Sequence, residues 1–396
     1  MARAPHRRTP HLTDPAMVRE VASRVLDRES IEIIDWRKQS IHAPFNRATG
    51  GLYRVSGSAI DRGEILPWSA ILKVARRSGG LFGGNDDLRH SNYWKREYLI
   101  YESRVLENLP GIRAAKCYGM ENGRSSAAIW LEDLSDLSSA RWDLDRYRLA
   151  ARRLGEFNGA YLTERPVPSR VFPAGDSLRS FAHEFTEHFS RINDLRDQPM
   201  IVRCWPNDLI DRVLELWEER EMFLAALDRL PRTFCHNDAF PRNLFVDERH
   251  AEVVAVDWAF AGIGPVGSEL APMVAASVFF YDAEPEEMQF IDSAVFESYI
   301  EGLERVGWNG DVASVRFAAS ASAALRYGLF PLGVVLLNDD ARRHFERVLT
   351  HSAIEIADRW SVSVRFLMDQ ADAVRSDVYA SHLDGGAFAV GETPAI

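Results

Sequence analysis

The sequence predicts an α+β protein of two lobes, with a small sheet in its front part and helices in most of the rest. Alternating and β-branched runs typical of strands fall between residues 31 and 131. From residue 144 to residue 366, apolar residues recur at the three- and four-residue spacing of helices. A chain of 396 residues with 46% hydrophobic content is also large enough for two separate cores.

Composition limits the partners and the compartment. The net charge of -11 argues against nucleic acid and anionic membranes as partners. The three cysteines Cys117, Cys204 and Cys235 lack metal-site spacing, which favours buried, reduced thiols. Neither a secretory signal nor an apolar span of bilayer length is visible, so we expect a cytoplasmic protein without a membrane partner.

The front part begins with a helix and a pair of strands. Residues 1–14 are predicted to be a disordered tail, and Asp14 suits the N-cap of a helix. Thr49, Gly50 and Gly51 end the polar stretch between the first two strands. A glycine pair lets backbone amides approach phosphates closely, although a plain turn explains the same pattern.

Lys73 lies in the middle of an apolar strand predicted over residues 69–74. An unpaired buried ammonium group is costly, so this lysine must either reach solvent or find anions. A helix predicted over residues 92–109 offers Glu97, with Glu102 as a competing partner. The strand and the helix therefore predict an ion pair in the front lobe.

A polar loop with His236, Asp238 and Asn243 precedes a β-branched run that ends at Asp257. We expect Asp238, Asn243 and Asp257 to share one site. An amide and a carboxylate suit Mg²⁺, which prefers few protein carboxylates, retained waters and substrate phosphates. Asp238 then remains to accept a proton from an attacking hydroxyl, which completes the groups needed for phosphoryl transfer. A loop with a capping aspartate and a packed histidine is the alternative for His236 and Asp238 alone.

The spacing His236-x-Asp238-x-x-x-x-Asn243, followed by Asp257, resembles the catalytic loop and metal-binding aspartate of the protein-kinase-like fold. Val256-Asp257-Trp258 in place of Asp-Phe-Gly is similar to the aminoglycoside phosphotransferase and choline kinase family. The resemblance covers about residues 31–366 and includes Glu269 where that family usually has aspartate.

The resemblance implies a small N-terminal antiparallel sheet lobe with one key helix and a larger, mainly helical C-terminal lobe. We assign residues 15–132 to the nucleotide-binding lobe, 133–370 to the catalytic and substrate lobe, and 371–396 to a flexible tail. The resemblance also implies that the cofactors are ATP, with GTP possible, and Mg²⁺.

By the same resemblance, Asp238 is the catalytic base and His236 braces its loop, while Asn243 and Asp257 bind the metal. Lys73 contacts the nucleotide phosphates and Glu97 orients it. Thr49, Gly50 and Gly51 are further predicted contacts of the nucleotide. Leu131 and Asp133 belong to a predicted hinge that binds adenine.

Two positions depart from the family pattern, since Asn237 and Arg242 stand where glycines are common. Arg242 immediately precedes Asn243, and we hypothesise that it stabilises charge on the transferring phosphoryl group. A surface arginine is the alternative. A later acidic cluster at residues 282–287 either attracts an amine-bearing substrate or is a solvated loop.

The predicted function is Mg²⁺-dependent transfer of the ATP γ-phosphate to a hydroxyl of a small molecule, such as an antibiotic, amino alcohol, sugar or nucleoside. One alternative is a protein kinase, which the missing Asp-Phe-Gly and Ala-Pro-Glu landmarks disfavour. The other is a nucleotide-binding interaction module without turnover, which the intact set of polar site residues argues against.

Overall fold

The computed structural model of the protein describes residues 14–41, 48–78, 84–137, 141–168, 177–184, 189, 191–334 and 339–383. These residues fall into two compact units. The first unit comprises residues up to 107, 114–138 and 256–259, and the second comprises 108–113, 139–255 and 260 onward. The predicted tail before Asp14, and residues 384–396 of the predicted C-terminal tail, lie outside the described residues.

The first unit is built on a five-stranded antiparallel sheet. Its helices are α1 (Pro15–Leu26) and α2 (Arg96–Glu102). The first six strands of the chain are β1 (Glu32–Ser40), β2 (Thr49–Asp61), β3 (Glu64–Arg76), β4 (Arg113–Ala114), β5 (Cys117–Asn122) and β6 (Ser126–Glu132). The sheet order is β1-β2-β3-β6-β5, and every neighbouring pair is antiparallel. The predicted small antiparallel sheet with its helix is confirmed.

The two faces of this sheet pack against different helices. Val21 of α1 shares a buried cluster with Leu72 and Trp130. Because side chains alternate along a strand, Lys73 lies on the other face. Tyr98 of α2 packs against β6 on that face. The alternation therefore directs Lys73 towards α2.

The helix predicted over residues 92–109 is shorter in the structure, because α2 ends at Glu102. Arg104 and Asn108 have left-handed backbone angles, with φ of 62° and 56°. A residue with positive φ cannot continue a right-handed helix, so these positions end the helical stretch.

The second unit is mainly helical. Its helices are α3 (Leu144–Thr163), α4 (Ser177–Glu184), α5 (Pro199–Cys204), α6 (Asn207–Leu227), α7 (Met288–Arg305), α8 (Val312–Ala323), α9 (Phe330–Val334), α10 (Asp339–Leu349) and α11 (Ala353–Leu383). Its short strands are β7 (Arg232–Cys235), β8 (Leu244–Asp247), β9 (Glu252–Ala255) and β10 (Gly262–Pro265). Two turns have the wider π-helical geometry, Pro272–Ala276 and Ala324–Gly328, and a short helix, Ser277–Phe279, follows the first.

Helices α3 and α7 cross in close backbone contact, because glycines face each other there. A Cβ atom at Gly155 would overlap the backbone oxygen of Tyr299, and one at Gly302 would overlap a backbone oxygen of α3. The Tyr299 hydroxyl donates a hydrogen bond to Asn158 Oδ1 at 2.7 Å. Asn158 Nδ2 in turn donates to the Phe234 carbonyl at 2.8 Å. The helix pair thus anchors β7, which leads into the His236 loop.

The last helix continues beyond the point where the sequence predicts a flexible tail. Helix α11 extends to Leu383, so residues 371–383 are helical and the prediction was wrong for them. Ala371, Val374 and Val378 are buried at three- and four-residue spacing. Burial of this apolar stripe stabilises the added turns.

The three cysteines are free thiols, as predicted, with Cys204 and Cys235 buried and Cys117 half-buried. Within the described ranges, no helix has the length and apolar character needed to cross a bilayer.

Candidate active site

Strands hold the His236 loop at both ends. Before the loop, β7 pairs antiparallel with β10, and Cys235 lies opposite Gly262. After the loop, β8 and β9 form a hairpin in which Leu244 lies opposite Ala255. The loop residues 236–243 are therefore fixed between two sets of backbone hydrogen bonds.

Within the loop, Asn237 and His236 set the backbone course. Asn237 has a φ of 62°, a left-handed conformation that glycine and asparagine adopt most easily. This explains why asparagine can stand where the resembling family commonly has glycine. His236 is fully buried, and its Nδ1 accepts a hydrogen bond from the Asp238 backbone N–H at 3.2 Å. The imidazole thus holds the backbone that carries Asp238.

Each carboxylate oxygen of Asp238 accepts a hydrogen bond from another side chain. Arg326 Nη2 donates to Oδ1 at 2.8 Å, and Asn243 Nδ2 donates to Oδ2 at 2.8 Å. Arg326 Nη1 also donates to the backbone oxygen of Asn237. The direction of the Asp238 carboxylate is therefore fixed by the loop and by one arginine from outside it.

Sequence reasoning missed Arg326. The residue lies in the π-helical turn Ala324–Gly328, and its guanidinium faces the rings of Phe181 and Phe260 at 5.5 and 5.3 Å. A signal was present, because an arginine inside the apolar helical run at 312–328 must pair with an anion if it is buried. The sequence does not show which anion that is.

The carboxyl group of Glu269 supports the backbone of the His236 loop. It is fully buried, and its Oε1 accepts a hydrogen bond from the Asn237 backbone N–H at 2.6 Å. Burial raises the pKa of Glu269 to about 7, although hydrogen bonds from the backbone of Asn237 and His236 oppose the shift. Its Oε2 has no hydrogen-bond partner within the described part of the chain. The loop therefore rests on a carboxyl group that titrates near neutral pH.

In the first unit, Lys73 lies between two carboxylates. Its Nζ is 2.6 Å from Glu97 Oε2 and 2.7 Å from Asp257 Oδ1. The Trp258 backbone N–H donates to the other Glu97 oxygen at 3.3 Å. Of the two competing partners on the predicted helix, Lys73 therefore meets Glu97, while Glu102 accepts a hydrogen bond from the Tyr98 hydroxyl.

The two carboxylates keep this lysine charged. Burial lowers the pKa of Lys73, but the attraction of Asp257 and then of Glu97 outweighs it, and the pKa is raised. Asp257 reaches Lys73 from a backbone with a φ of 60°, a left-handed conformation that aspartate tolerates. The result is a buried cation of fixed position on the sheet face that α2 covers.

The structure places Thr49, Gly50 and Gly51 inside β2, so the prediction that they lie in the loop before the second strand was wrong, and their contact with the nucleotide stays a prediction. Strand β3 pairs with β2 beyond Lys73, and Gly51 of β2 lies opposite Val74, the residue after this lysine. The preceding residues 42–47 lie outside the described part of the chain.

The predicted hinge residues have different surroundings. Leu131 is buried in β6 and lies opposite Ile71 of β3. The Asp133 carboxylate accepts hydrogen bonds from Arg54 Nε at 2.8 Å and from Ser69 Oγ at 2.5 Å. Its side chain thus ties the segment after β6 to β2 and β3, and adenine binding by the backbone here stays a prediction.

Within the described part of the chain, the Arg242 side chain contacts Asp282 and Phe280 rather than the Asp238 carboxylate. Its Nε lies 3.0 Å from both oxygens of Asp282, and it also donates to the Phe280 carbonyl. A role of Arg242 in transfer stays a prediction, and these contacts favour the interpretation as a surface arginine.

The acidic cluster beyond Arg242 is largely paired with arginines. Besides Asp282, Glu284 lies 2.7 Å from Arg359, and Glu287 lies 2.6 Å from Arg141. Carboxylates that already have these partners attract an amine-bearing substrate less than free ones would.

The donor groups predicted to bind the metal are one from each unit, Asn243 in the second and Asp257 in the first. The described residues contain no group of three or more His, Cys, Asp or Glu side chains that could hold a metal ion. Both contacts of Asn243 with Asp238 use the amide nitrogen, so its oxygen would be the ligand atom if the prediction holds. An amide oxygen and a carboxylate are each the kind of ligand that Mg²⁺ takes when it arrives with nucleotide phosphates, and binding of the ion by these two residues stays a prediction.

The chain is similar to known phosphotransferases in sequence and in fold. The sequence model of the phosphotransferase enzyme family (APH) matches residues 127–306, which contain the His236 loop and Asp257. No curated protein matches the chain in sequence.

Two solved structures show the fold. An aminoglycoside phosphotransferase from Alicyclobacillus acidocaldarius aligns with a TM-score of 0.51 and 13% identity, over 90% of this chain and 96% of that chain. A choline/ethanolamine kinase family protein from Mesorhizobium loti aligns with a TM-score of 0.51 and 14% identity, over 94% of this chain and 99% of that chain. The predicted kinase-like fold is confirmed.

Proposed function

We propose that this protein is a phosphotransferase that transfers the γ-phosphate of ATP to a hydroxyl of a small molecule. The match of residues 127–306 to the phosphotransferase family supports the general reaction class. The observation that carries the proposal is the position of Lys73, a buried cation between Glu97 and Asp257. A lysine held in this way supplies a fixed point charge for a polyphosphate.

The residues divide into those that hold the nucleotide and those that act on the acceptor. Lys73 contacts the phosphates, Glu97 orients it, and Asn243 and Asp257 provide ligands for Mg²⁺. When bound, the magnesium nucleotide supplies the activated phosphoryl group and neutralises its charge. Thr49, Gly50 and Gly51 are the further nucleotide contacts in this proposal, since Gly51 lies opposite the residue after Lys73.

Asp238 orients the acceptor hydroxyl and accepts its proton. The hydrogen bonds from Arg326 and Asn243 hold the carboxylate in one direction. Loose phosphoryl transfer asks little of a base, so this positioning matters more than basicity. His236 and Glu269 contribute by fixing the backbone on either side of Asn237.

The proposal is tested by measuring ATP consumption across a panel of hydroxyl-bearing compounds, with Mg²⁺ present and Asp238→Ala as the control. We expect one class of compound to stimulate consumption in the wild type, and Asp238→Ala to remove most of that turnover. Turnover retained by Asp238→Ala would contradict the assignment. Silence across the panel would favour a nucleotide-binding module without turnover.

A further inference from the structure

A cavity lies beside the Asp238 loop within the second unit. Asn237, Phe260, Ser322 and Arg326 are among its lining residues. Arg326 Nη2 is 2.8 Å from Asp238 Oδ1. A molecule in this cavity would therefore contact Arg326, which in turn contacts the carboxylate that acts on the acceptor.

One hydroxyl group in the cavity wall has no hydrogen-bond partner among the described residues. Ser322 is 3% exposed, and its Oγ makes no hydrogen bond within the described part of the chain. Buried polar groups are nearly always hydrogen-bonded, so an exception in a cavity wall indicates a missing ligand or water. Ser268 adds a second hydroxyl to the lining, and its contact with Cys235 Sγ is long, at 3.9 Å.

The charge of the lining is unsuited to a cation. Arg326 lines the cavity, whereas none of the lining residues in the described part of the chain is an aspartate or glutamate. Most of the others are apolar, including Phe181, Phe260 and Ile263. The wall therefore offers apolar surface, two hydroxyls, the amide of Asn237 and the guanidinium of Arg326, whose charge is paired with Asp238.

The aromatic rings of the cavity already face a cation of the protein. Proteins commonly bind ammonium groups on the faces of aromatic rings. Here the guanidinium of Arg326 lies 5.5 Å from the ring centre of Phe181 and 5.3 Å from that of Phe260. An incoming ammonium group would have to displace Arg326 or lie against it.

We propose that this cavity binds the phosphoryl acceptor, and that the acceptor has an apolar body and no positive charge near the hydroxyl that reacts. The inference rests on the proposed function and narrows its substrate class. In this reaction the body of the acceptor occupies the cavity and its hydroxyl extends past Arg326 to Asp238. The hydroxyl oxygen takes the γ-phosphoryl group of ATP, its proton goes to Asp238, and ADP leaves. We therefore expect acceptors with a positive charge, such as choline or aminoglycosides, to bind this cavity more weakly than neutral ones.

Two probes with one carbon skeleton test the charge preference. These are 3-phenylpropane-1,2-diol, which is neutral, and phenylalaninol, in which an ammonium group replaces one hydroxyl at about pH 6.5. Binding to the full-length protein without nucleotide is measured by calorimetry. Ligands of about eleven non-hydrogen atoms bind with millimolar constants, so we expect the diol to bind at about 1–10 mM. We expect phenylalaninol to bind at least about tenfold more weakly.

Substitutions at Ser322 locate the diol. Ser322→Leu fills the cavity, and we expect it to weaken diol binding at least about tenfold. Ser322→Ala removes only the hydroxyl and should weaken binding about threefold or more without lowering the melting temperature, because Oγ has no partner to lose. If Ser322→Leu fails to fold, Ser322→Ala decides the question.

Ser320 provides the matched control on the same helix. Its hydroxyl donates to Gln370 Oε1 at 2.7 Å, so Ser320→Ala should lower the melting temperature and leave diol affinity unchanged. Three results would each overturn the inference: an amine that binds as tightly as the diol, no diol binding at about 50 mM, or Ser322 variants that bind the diol like the wild type.

ATP binding, measured separately, shows which proposal has failed. If ATP binding depends on Lys73 but the diol does not bind, the acceptor inference fails and the proposed function stands. If ATP binding does not depend on Lys73, the proposed function fails, and diol binding then reports on the cavity alone.

Discussion

Arg326 and Asn243 share the Asp238 carboxylate, one on each oxygen. The same arginine also bonds the Asn237 carbonyl, so one side chain fixes both the direction of the carboxylate and the backbone beside it. In a reaction governed by positioning, such a residue affects the rate through Asp238 without touching the substrate phosphates. We therefore infer that Arg326 acts as a positioning residue in the proposed reaction.

We predict that Arg326→Lys lowers kcat by about tenfold and Arg326→Gln by about a hundredfold, because lysine keeps the charge but not the two-point contact. The affinity for ATP should stay within about threefold of the wild type, since Arg326 is not among the nucleotide contacts. Steady-state kinetics and ATP titration measure the two effects.

Arg242→Gln is the control, because Arg242 bonds Asp282 at a half-exposed position. Ion pairs at such positions contribute at most about 1 kcal/mol, so we expect kcat to stay within about threefold of wild type. Equal losses in the Arg242 and Arg326 variants would contradict the positioning role.

Glu269 predicts a pH dependence of stability. Its pKa is raised from 4.5 to about 7 in the folded protein, so between these values the folded state binds more protons than the unfolded state. Its contribution to the free energy of unfolding is therefore greatest below pH 4.5 and is lost as the pH rises through about 7. Glutamine does not titrate, so the Glu269→Gln variant should not show this pH-dependent loss of unfolding free energy. Denaturant unfolding should show the wild type losing about 3 kcal/mol relative to the variant across this range, and parallel pH profiles would contradict the assignment.

At the residue scale, sequence reasoning brought together the correct partners in the first unit. A lysine inside an apolar strand requires an anion, and Glu97 is the one it meets, with Asp257 added. Sequence reasoning did not find the pairing of Arg326 with Asp238, because the two residues are 88 positions apart in sequence. A buried arginine requires an anion in the same way, but spacing alone does not identify an anion so far along the chain.

At the scale of elements, the crossing of α3 and α7 controls where β7 lies. Gly155 and Gly302 allow the backbones to touch, and Tyr299 and Asn158 then bond the Phe234 carbonyl of β7. The strand ends one residue before His236. The position of the His236 loop therefore depends on two glycines far from it in sequence.

We predict that Gly302→Ala lowers the free energy of unfolding by about 2 kcal/mol or more, since the added methyl group overlaps a backbone oxygen and the helices must separate. Gly119→Ala is the control, because a Cβ there would meet its nearest neighbour at 3.4 Å, an ordinary contact. Chemical denaturation measures both, and equal stability of the two variants would show that the crossing is not close-packed.

Helix ends were the least predictable elements. The helical pattern over residues 340–366 predicts one helix, whereas the structure has α10 and α11 with Thr350 between them at a φ of 59°. Ser352 and Glu355 form reciprocal contacts of the capping-box kind at the start of α11. Apolar spacing continues through such a break, so periodicity alone does not reveal it.

At the scale of the whole molecule, the division of the chain is less simple than the predicted boundary between residues 132 and 133. The first unit includes residues up to 138 and also 256–259, whereas 108–113 belong to the second. The sequence order of elements predicts the fold class well, because strands and helices differ in period. The order of elements does not predict that residues 256–259, around Asp257, belong to the first unit, whose other residues precede them by more than a hundred positions.

The most direct test of the account is the dissociation constant of magnesium ATP, measured by calorimetry for the wild type, Lys73→Met and Asp238→Asn, with melting temperatures recorded alongside. Removal of the buried cation should raise the constant at least about tenfold, because a charge-assisted contact to phosphate is lost. Asp238→Asn should stay within about threefold of the wild type, since its carboxylate acts on the acceptor. Folded Lys73→Met protein that binds ATP as tightly as the wild type would contradict the account.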